Sequence, residues 1–175
     1  MTSSRHSHDA LRAAAREIET FVASTGWDQT TRLFALVDTE ALLSREPELA
    51  QQIAAHDELN VGALTPVEQD GVPVHTDPLE LLASIEWPDG VDGAALALEM
   101  LMLPQDAAVP DDPLMAQQAA VHHPERKELR VVVAALRTGE RTASVRWRDH
   151  DHADQVFEAP DLVETLGEAL LRTFH

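Results

Sequence analysis

The sequence contains no cysteine. Without thiols the chain has no disulfide framework, no thiolate zinc site and no cysteine nucleophile. It also has only 13 lysine and arginine residues against 31 aspartate and glutamate residues, which gives a formal net charge of −18. This charge repels phosphate backbones and anionic membrane surfaces at long range, so we expect neither nucleic acid nor a membrane as a partner.

The chain also lacks long apolar runs. No stretch approaches the ~20 residues needed to cross a bilayer, and the N-terminal MTSSRHSHDALRAAAREIE lacks the apolar core of a signal peptide. These absences favour a cytoplasmic location. The apolar fraction of 44% is ordinary for a globular protein, so the acidity does not indicate disorder. We expect a frayed polar tail over residues 1–8 and a single domain over residues 9–175.

Hydrophobic periodicity predicts a mixture of helices and strands. Asp9 is expected to cap a first amphipathic helix that ends near Gly26, and apolar runs predict strands over residues 32–37 and in GAALALEMLML. The other predicted elements are a helix from Thr39, a short helix over 47–53, an irregular connection over 57–76, a helix capped by Asp77, a short helix in LMAQQAAVHH, an edge strand in QVFEAP, and a C-terminal helix capped by Asp161 with the apolar stripe Val163, Leu166, Leu170 and Phe174.

The stretch ELRVVVAALRTGERTASVRWR predicts a β-hairpin. A three-residue turn that ends at Gly139, in the left-handed conformation, would pair Leu129 with Trp147 and Val131 with Val145. The whole element order predicts an α+β fold with a mainly antiparallel sheet of about four to five strands. We expect the N- and C-terminal helices to pack on one face of that sheet.

Basic residues concentrate in this hairpin, against the sign of the whole chain. They are Arg126, Lys127, Arg130, Arg137, Arg141, Arg146 and Arg148. One interpretation is a site for an anion or an acidic partner on the outer sheet face that bears Arg130, Arg146 and Arg148, since guanidinium groups match carboxylates and phosphates with paired donors. The alternative is that the chain neutralises them with its own carboxylates, such as Asp149, Asp151, Glu158 or Glu99.

The run DHDHAD, residues 149–154, is the densest set of metal-ligand side chains in the sequence. Consecutive residues at a strand exit mostly diverge, so a solvated turn is favoured over a metal site. No serine has the context of a nucleophile elbow, and no glycines have phosphate-loop spacing. We therefore predict no catalytic residues, no metal and no cofactor.

Two tryptophans are candidates for a ligand pocket. Trp27 and Trp87 lie at the ends of predicted helices, where they could line a pocket between helix and sheet, with Asp38, Glu99 or Arg32 supplying polarity. The alternative is that the tryptophans fill the junction between helix and sheet, and that the carboxylates cap helices or form ion pairs.

Five stretches of the chain carry a family resemblance: GWDQTTRLFALVDT, ALTPVEQD, WPDGVDGAALALEMLMLP, RTASVRWRDHD and DLVETLGEALLRTF. Together they resemble a family of conserved, functionally uncharacterised actinobacterial proteins, over residues 11–174. The resemblance implies a cytoplasmic actinobacterial protein. It implies no reaction, cofactor or catalytic residue.

These observations support three hypotheses of function. The leading one is a non-enzymatic interaction or regulatory domain that binds an acidic protein or a small anion through the basic sheet face. The alternative is a small-molecule binding protein or enzyme with a pocket at the helix–sheet junction, and the third is a metal-dependent hydrolase at residues 149–154. The general frequency of twofold assemblies favours a homodimer.

Overall fold

A computed structural model describes residues 2–48, 63–74, 76–159 and 163–174. In chain order the elements are α1 (Thr2–Ala23), β1 (Arg32–Asp38), α2 (Thr39–Arg45), β2 (Leu64–Glu68), α3 (Pro78–Ala83), β3 (Gly93–Met102), α4 (Pro113–His122), β4 (Lys127–Leu136), β5 (Arg141–Trp147), a 3₁₀ turn (Arg148–His150), β6 (Val156–Glu158) and α5 (Glu164–Leu171).

The strands form one six-stranded sheet in the order β2-β1-β3-β4-β5-β6. Every neighbouring pair is antiparallel, which confirms the α+β class with an antiparallel sheet. The strand count is slightly higher than predicted because β2 lies inside the segment expected to be irregular. Its sequence LTPVE contains Pro66, which weakens a strand signal but is tolerated at a sheet edge, where β2 lies.

Helices cover both faces of the sheet. On one face, α1 packs Leu11 and Ile18 against a cluster that includes Phe34 and Val132. On the other face, α3 and α5 pack on the alternate residues of the same strands. The N- and C-terminal helices therefore lie on opposite faces rather than on one, because β3 and β4 are apolar on both sides and each side needs a cover.

The hairpin register is confirmed. Leu129 lies opposite Trp147 and Val131 opposite Val145, and the Leu136 amide donates to the Glu140 carbonyl at 2.8 Å to enclose a three-residue turn. Gly139 has φ +108°, a left-handed conformation that would be strained for a residue with a side chain. The register places Arg130 opposite Arg146 on the same sheet face as Val132.

Helix boundaries follow the local signals with one exception. α1 begins at Thr2, earlier than a cap at Asp9 predicts, because the polar residues before Asp9 include no proline or glycine to stop the helix. The predicted caps Asp38 and Asp77 accept hydrogen bonds from the first amides of α2 and α3. The predicted helix over 47–53 extends beyond the described residues, and the predicted cap Asp161 lies outside them too. Within the described ranges, none of the helices has the length and apolar character to span a membrane.

Candidate functional site

Three of the hairpin arginines, Arg130, Arg146 and Arg148, contact α1 or the segment that follows it, residues 24–31. Only 2% of Arg130 and 6% of Arg146 is exposed. The prediction that these side chains form an outer basic face is therefore wrong in its geometry. The sheet face that bears them is the one that α1 covers.

Arg146 forms a buried ion pair with Glu19 of α1. Its Nε donates to Oε1 at 2.6 Å and its Nη2 donates to Oε2 at 2.8 Å, so both carboxylate oxygens are used. Nη1 donates to Asp151 Oδ1 at 3.0 Å. The hydrogen bonds from the Glu19 carboxylate raise the pKa of Arg146 above its ordinary value. This pair anchors α1 to the sheet.

Arg130 is enclosed by the segment 24–31. Its guanidinium lies 4.4 Å from the centroid of the Trp27 ring, and Nη2 donates to Glu99 Oε1 at 3.3 Å and to the Gly26 carbonyl. Its Nε and Nη1 are buried without a hydrogen-bond partner among the described residues. Glu99 also accepts from the amides of Asp28 and Gln29 at 2.9 and 3.3 Å. Glu99 therefore holds this segment to the sheet rather than facing a ligand.

Arg148 is the third arginine on this side of the sheet, after Arg146 and Arg130. It donates to both oxygens of Asp28 at 2.8 and 3.0 Å and to Glu128 at 2.8 Å, and it lies 5.6 Å from the centroid of the Trp27 ring. The hydrogen bond from Arg148 lowers the pKa of Asp28. Asp28 has φ +64°, which is uncommon for a residue with a side chain. Arg130, Arg146 and Arg148 are thus neutralised mostly by carboxylates of the same chain.

The acidic run at residues 149–154 contributes one of those carboxylates. Asp151 accepts from Trp27 Nε1 at 3.0 Å as well as from Arg146. The interpretation of the run as counter-charge for nearby arginines is confirmed for Asp151. Asp149 and His150 are exposed. No cluster of histidines and carboxylates within the described ranges is arranged to hold a metal ion.

The contacts of Asp151 give a pH-dependent prediction. The hydrogen bond from Trp27 and that from Arg146 lower the pKa of Asp151 below its ordinary value of 3.8, against the opposing effect of burial. Its contribution to stability is therefore present above pH 3.8 and is lost as the pH falls through the lowered pKa. In urea unfolding at a series of pH values, we expect Asp151→Asn to be less stable than wild type near neutral pH and the difference to vanish in acid. Asp149→Asn removes a charge of the same sign nearby and serves as the control for the general effect of charge on stability. If the difference in stability between wild type and Asp151→Asn did not change with pH, the prediction would be contradicted.

The predicted tryptophan pocket is not assembled, because the sheet separates its parts. Trp27 lies on the α1 side, whereas Trp87 is buried in the cluster under α3 and α5. Asp38 caps α2 by accepting from the Ala41 amide at 2.9 Å. Arg32 donates to both oxygens of Glu68 at 2.6 and 2.8 Å and lies 4.7 Å from the centroid of the Phe21 ring. These residues have the structural roles that the alternative interpretation assigned to them.

A cleft between α1 and the outer strands offers a different site, which the sequence interpretation missed. This α1–β6 cleft has a volume of about 250 Å³ and lies on the α1 side of the sheet. Ala15, Thr142 and Ser144 form part of its lining, and Arg12, Arg16 and Glu158 lie around it. Arg12 and Arg16 are one helical turn apart, next to the apolar stripe of α1. That spacing is the one sequence signal for the site.

Two arginines of the cleft share one carboxylate. Glu158 Oε1 accepts from Arg12 Nε at 2.8 Å and from Arg12 Nη2, and the same oxygen lies 3.5 Å from Arg16 Nη2. The other carboxylate in the lining, Glu19, is bound to Arg146, which also binds Asp151. These three arginines and three carboxylates balance in charge among the described residues, but Arg12 and Arg16 depend on a single oxygen of Glu158.

The cleft also contains an unused hydrogen-bonding group. Ser144 is only 7% exposed, and its Oγ has no partner among the described residues. A buried hydroxyl without a partner is costly, since most buried polar groups are hydrogen-bonded. The Ser144 hydroxyl is therefore buried in the wall of the cleft rather than exposed to a bound molecule.

A second groove at the end of the sheet is larger but less specific. It has a volume of about 670 Å³ and is lined by Trp147 together with Arg126, Lys127, Glu125 and Asp149. Its two basic and two acidic side chains balance one another. The α1–β6 cleft remains the stronger candidate because two of its arginines share a single carboxylate oxygen.

Comparisons with known proteins add a family but no chemistry. A family model described as "PPA1309-like protein" matches residues 11–175. No curated protein and no solved structure matches the chain. This family description names no substrate, cofactor or reaction, so a function has to be inferred from the geometry of the cleft.

Proposed function

Because the chain belongs to the PPA1309-like protein family, whose description assigns no activity, we propose from its own geometry that it is a non-enzymatic domain that binds an acidic ligand in the α1–β6 cleft. The ligand is a small anion or an acidic side chain of a partner protein. The observation that carries the proposal is the pair Arg12 and Arg16, which share the carboxylate of Glu158.

The residue types suit an anion. Guanidinium groups bind carboxylates and phosphates through paired, charge-assisted hydrogen bonds. The net charge of −18 opposes anions at long range. At physiological ionic strength, however, interactions beyond about 8 Å are largely screened, so the guanidinium groups at the cleft decide binding.

The same geometry supports binding rather than catalysis. A serine nucleophile needs a base within hydrogen-bonding distance, and the Ser144 Oγ has no partner of any kind among the described residues. A guanidinium group offers hydrogen-bond donors and no acceptor, so arginine is not suited to act as a general base. We therefore assign the cleft to recognition.

The setting of the domain is also a proposal. We place it in the cytoplasm of an actinobacterium, which the acidic, lysine-poor and cysteine-free composition supports. The acidic partner named above would then be a cytoplasmic protein or metabolite. A homodimer remains our expectation for the assembly.

A thermal-shift titration tests the proposed function. We expect phosphate or carboxylate anions to raise Tm saturably, with a stabilisation of roughly 2.7 kcal/mol at a hundred times Kd. Titration with chloride at equal ionic strength corrects for salt. Arg16→Ala should remove the saturable shift, because Arg16 is 68% exposed and contributes mainly its charge to the cleft.

Arg172→Ala is the matched control for that titration. Arg172 is 74% exposed and lies 3.9 Å from Glu168, so its removal deletes a similar surface ion pair away from the cleft. We expect this variant to keep the wild-type response. Equal shifts in wild type and in Arg16→Ala would contradict the proposal.

A further inference from the structure

Glu158 occupies the position that an acidic ligand would take. Resting on the proposed function, we infer that Glu158 is an internal competitor for the α1–β6 cleft, and that the ligand which displaces it is a small dianion, either a phosphomonoester or a dicarboxylate. The structure supports this through the way Glu158 is bound, its place in the sheet and the charge that remains when it leaves.

Glu158 uses little of the hydrogen-bonding capacity around it. Both arginines converge on Oε1, and no described residue donates to Oε2. The Glu19 carboxylate, in contrast, gives one oxygen to each of two nitrogens of Arg146. A ligand with more acceptor oxygens could satisfy Arg12 and Arg16 separately, which a single shared oxygen cannot do.

The position of Glu158 allows it to move away. It is the last residue of β6, a strand of 3 residues at the edge of the sheet, and its side chain is 47% exposed. Its carboxylate can turn into water without burying a charge. Arg12 and Arg16 belong to α1, which the buried pair of Glu19 with Arg146 fixes to the sheet. The backbone of Arg12 and Arg16 therefore stays beside the cleft when the carboxylate leaves.

The charge that remains selects a dianion. With Glu158 turned away, Arg12 and Arg16 present two positive charges on neighbouring turns of one helix face. A monoanion would only replace the charge of Glu158, which is tethered and therefore present at a high effective concentration. A dianion neutralises both guanidinium groups and so gains over the internal carboxylate.

The size of the cleft limits the rest of the ligand. Its volume of about 250 Å³ is slightly smaller than the 300–1,000 Å³ typical of drug-sized ligand pockets. The cleft suits a small phosphorylated or dicarboxylic metabolite.

Isothermal titration calorimetry tests the inference with four probes: glycerol phosphate, inorganic phosphate, succinate and acetate. At about pH 8 the phosphates are mainly dianionic. We expect the dianions to bind wild type, and to bind Glu158→Gln roughly tenfold more tightly because one negative charge has been removed from the cleft. Acetate should bind detectably only to Glu158→Gln. Comparing the phosphates with succinate identifies which kind of dianion the cleft prefers.

Glu168→Gln is the control, because Glu168 is 51% exposed and forms a comparable surface pair with Arg172. It should leave all four affinities unchanged. If dianions bind in an Arg16-dependent way but Glu158→Gln binds them no more tightly than wild type, the inference is overturned and the proposed function stands. If no probe binds either wild type or Glu158→Gln, both are overturned.

Discussion

Replacing Glu19 with alanine is expected to lower the free energy of unfolding by about 3–5 kcal/mol, because it leaves a buried charge without its main partner. The Glu19 and Arg146 side chains are only 5% and 7% exposed. Arg146 would retain Asp151, whose side chain is 45% exposed and bonds to one guanidinium nitrogen only. Most of the loss therefore comes from the uncompensated guanidinium group rather than from lost attraction.

Urea unfolding of three variants measures this effect. Glu168→Ala breaks an exposed pair and should cost no more than about 1 kcal/mol. The double variant Glu19→Leu/Arg146→Met should recover most of the stability, since apolar side chains of similar volume often replace a buried ion pair without loss. A loss for Glu19→Ala as small as that for Glu168→Ala would show that the pair does not anchor α1.

The same variant links stability to function. Glu19 lies one helical turn beyond Arg16 on α1, and its pair with Arg146 sets the position of that helix over β5. If α1 shifts, Arg12 and Arg16 no longer converge on the cleft. We therefore expect Glu19→Ala to weaken anion binding even at temperatures where it remains folded.

Gly93→Ala should be the other strongly destabilising substitution, by about 1–3 kcal/mol, the usual cost of overpacking a close-packed site. A Cβ atom at Gly93 would lie 2.7 Å from the Ala135 carbonyl oxygen and 2.9 Å from Leu136 Cδ2. Gly93 begins β3 and pairs with Leu136 of β4, near the middle of the sheet. Because one of the clashing atoms belongs to the backbone, relief requires a shift between two central strands.

Gly90→Ala is the matched control for that substitution. Its Cβ would meet only the guanidinium group of Arg45, at 3.0 Å, which is the flexible end of a side chain. Thermal unfolding should show a clearly lower Tm for Gly93→Ala and a small change for Gly90→Ala. Equal changes would mean that the close approach at Gly93 does not constrain the sheet.

The parts of the fold that the sequence predicts are those with local causes. The hairpin register follows from the alternation of Leu129, Val131 and Val133 and from Gly139 in the turn, all within one short stretch. Asp38 and Asp77 cap helices because a side-chain oxygen near the first turn satisfies free amides. These interactions need no knowledge of which strands are neighbours.

The site could not be predicted in the same way, because it depends on which sheet face α1 covers. Once α1 lies over Arg130 and Arg146, those side chains become buried and need internal counter-charges. Glu19 could have been identified as one of them, since it follows Leu11 and Ala15 at helical spacing on the apolar stripe of α1. The meeting of Arg16 with Glu158, in contrast, depends on the sheet order and has no local signal.

Backbone amide NMR shifts during a titration of the ¹⁵N-labelled protein with inorganic phosphate test most directly whether the α1–β6 cleft is the binding site. We expect saturable shifts concentrated on α1 from Arg12 to Thr20, on Ser144 and on Glu158, the residues that surround the cleft. We also expect these shifts to disappear in Arg16→Ala. Shifts centred on Arg126 and Lys127 in the groove beside Trp147, or no saturable shifts at all, would contradict binding in the α1–β6 cleft.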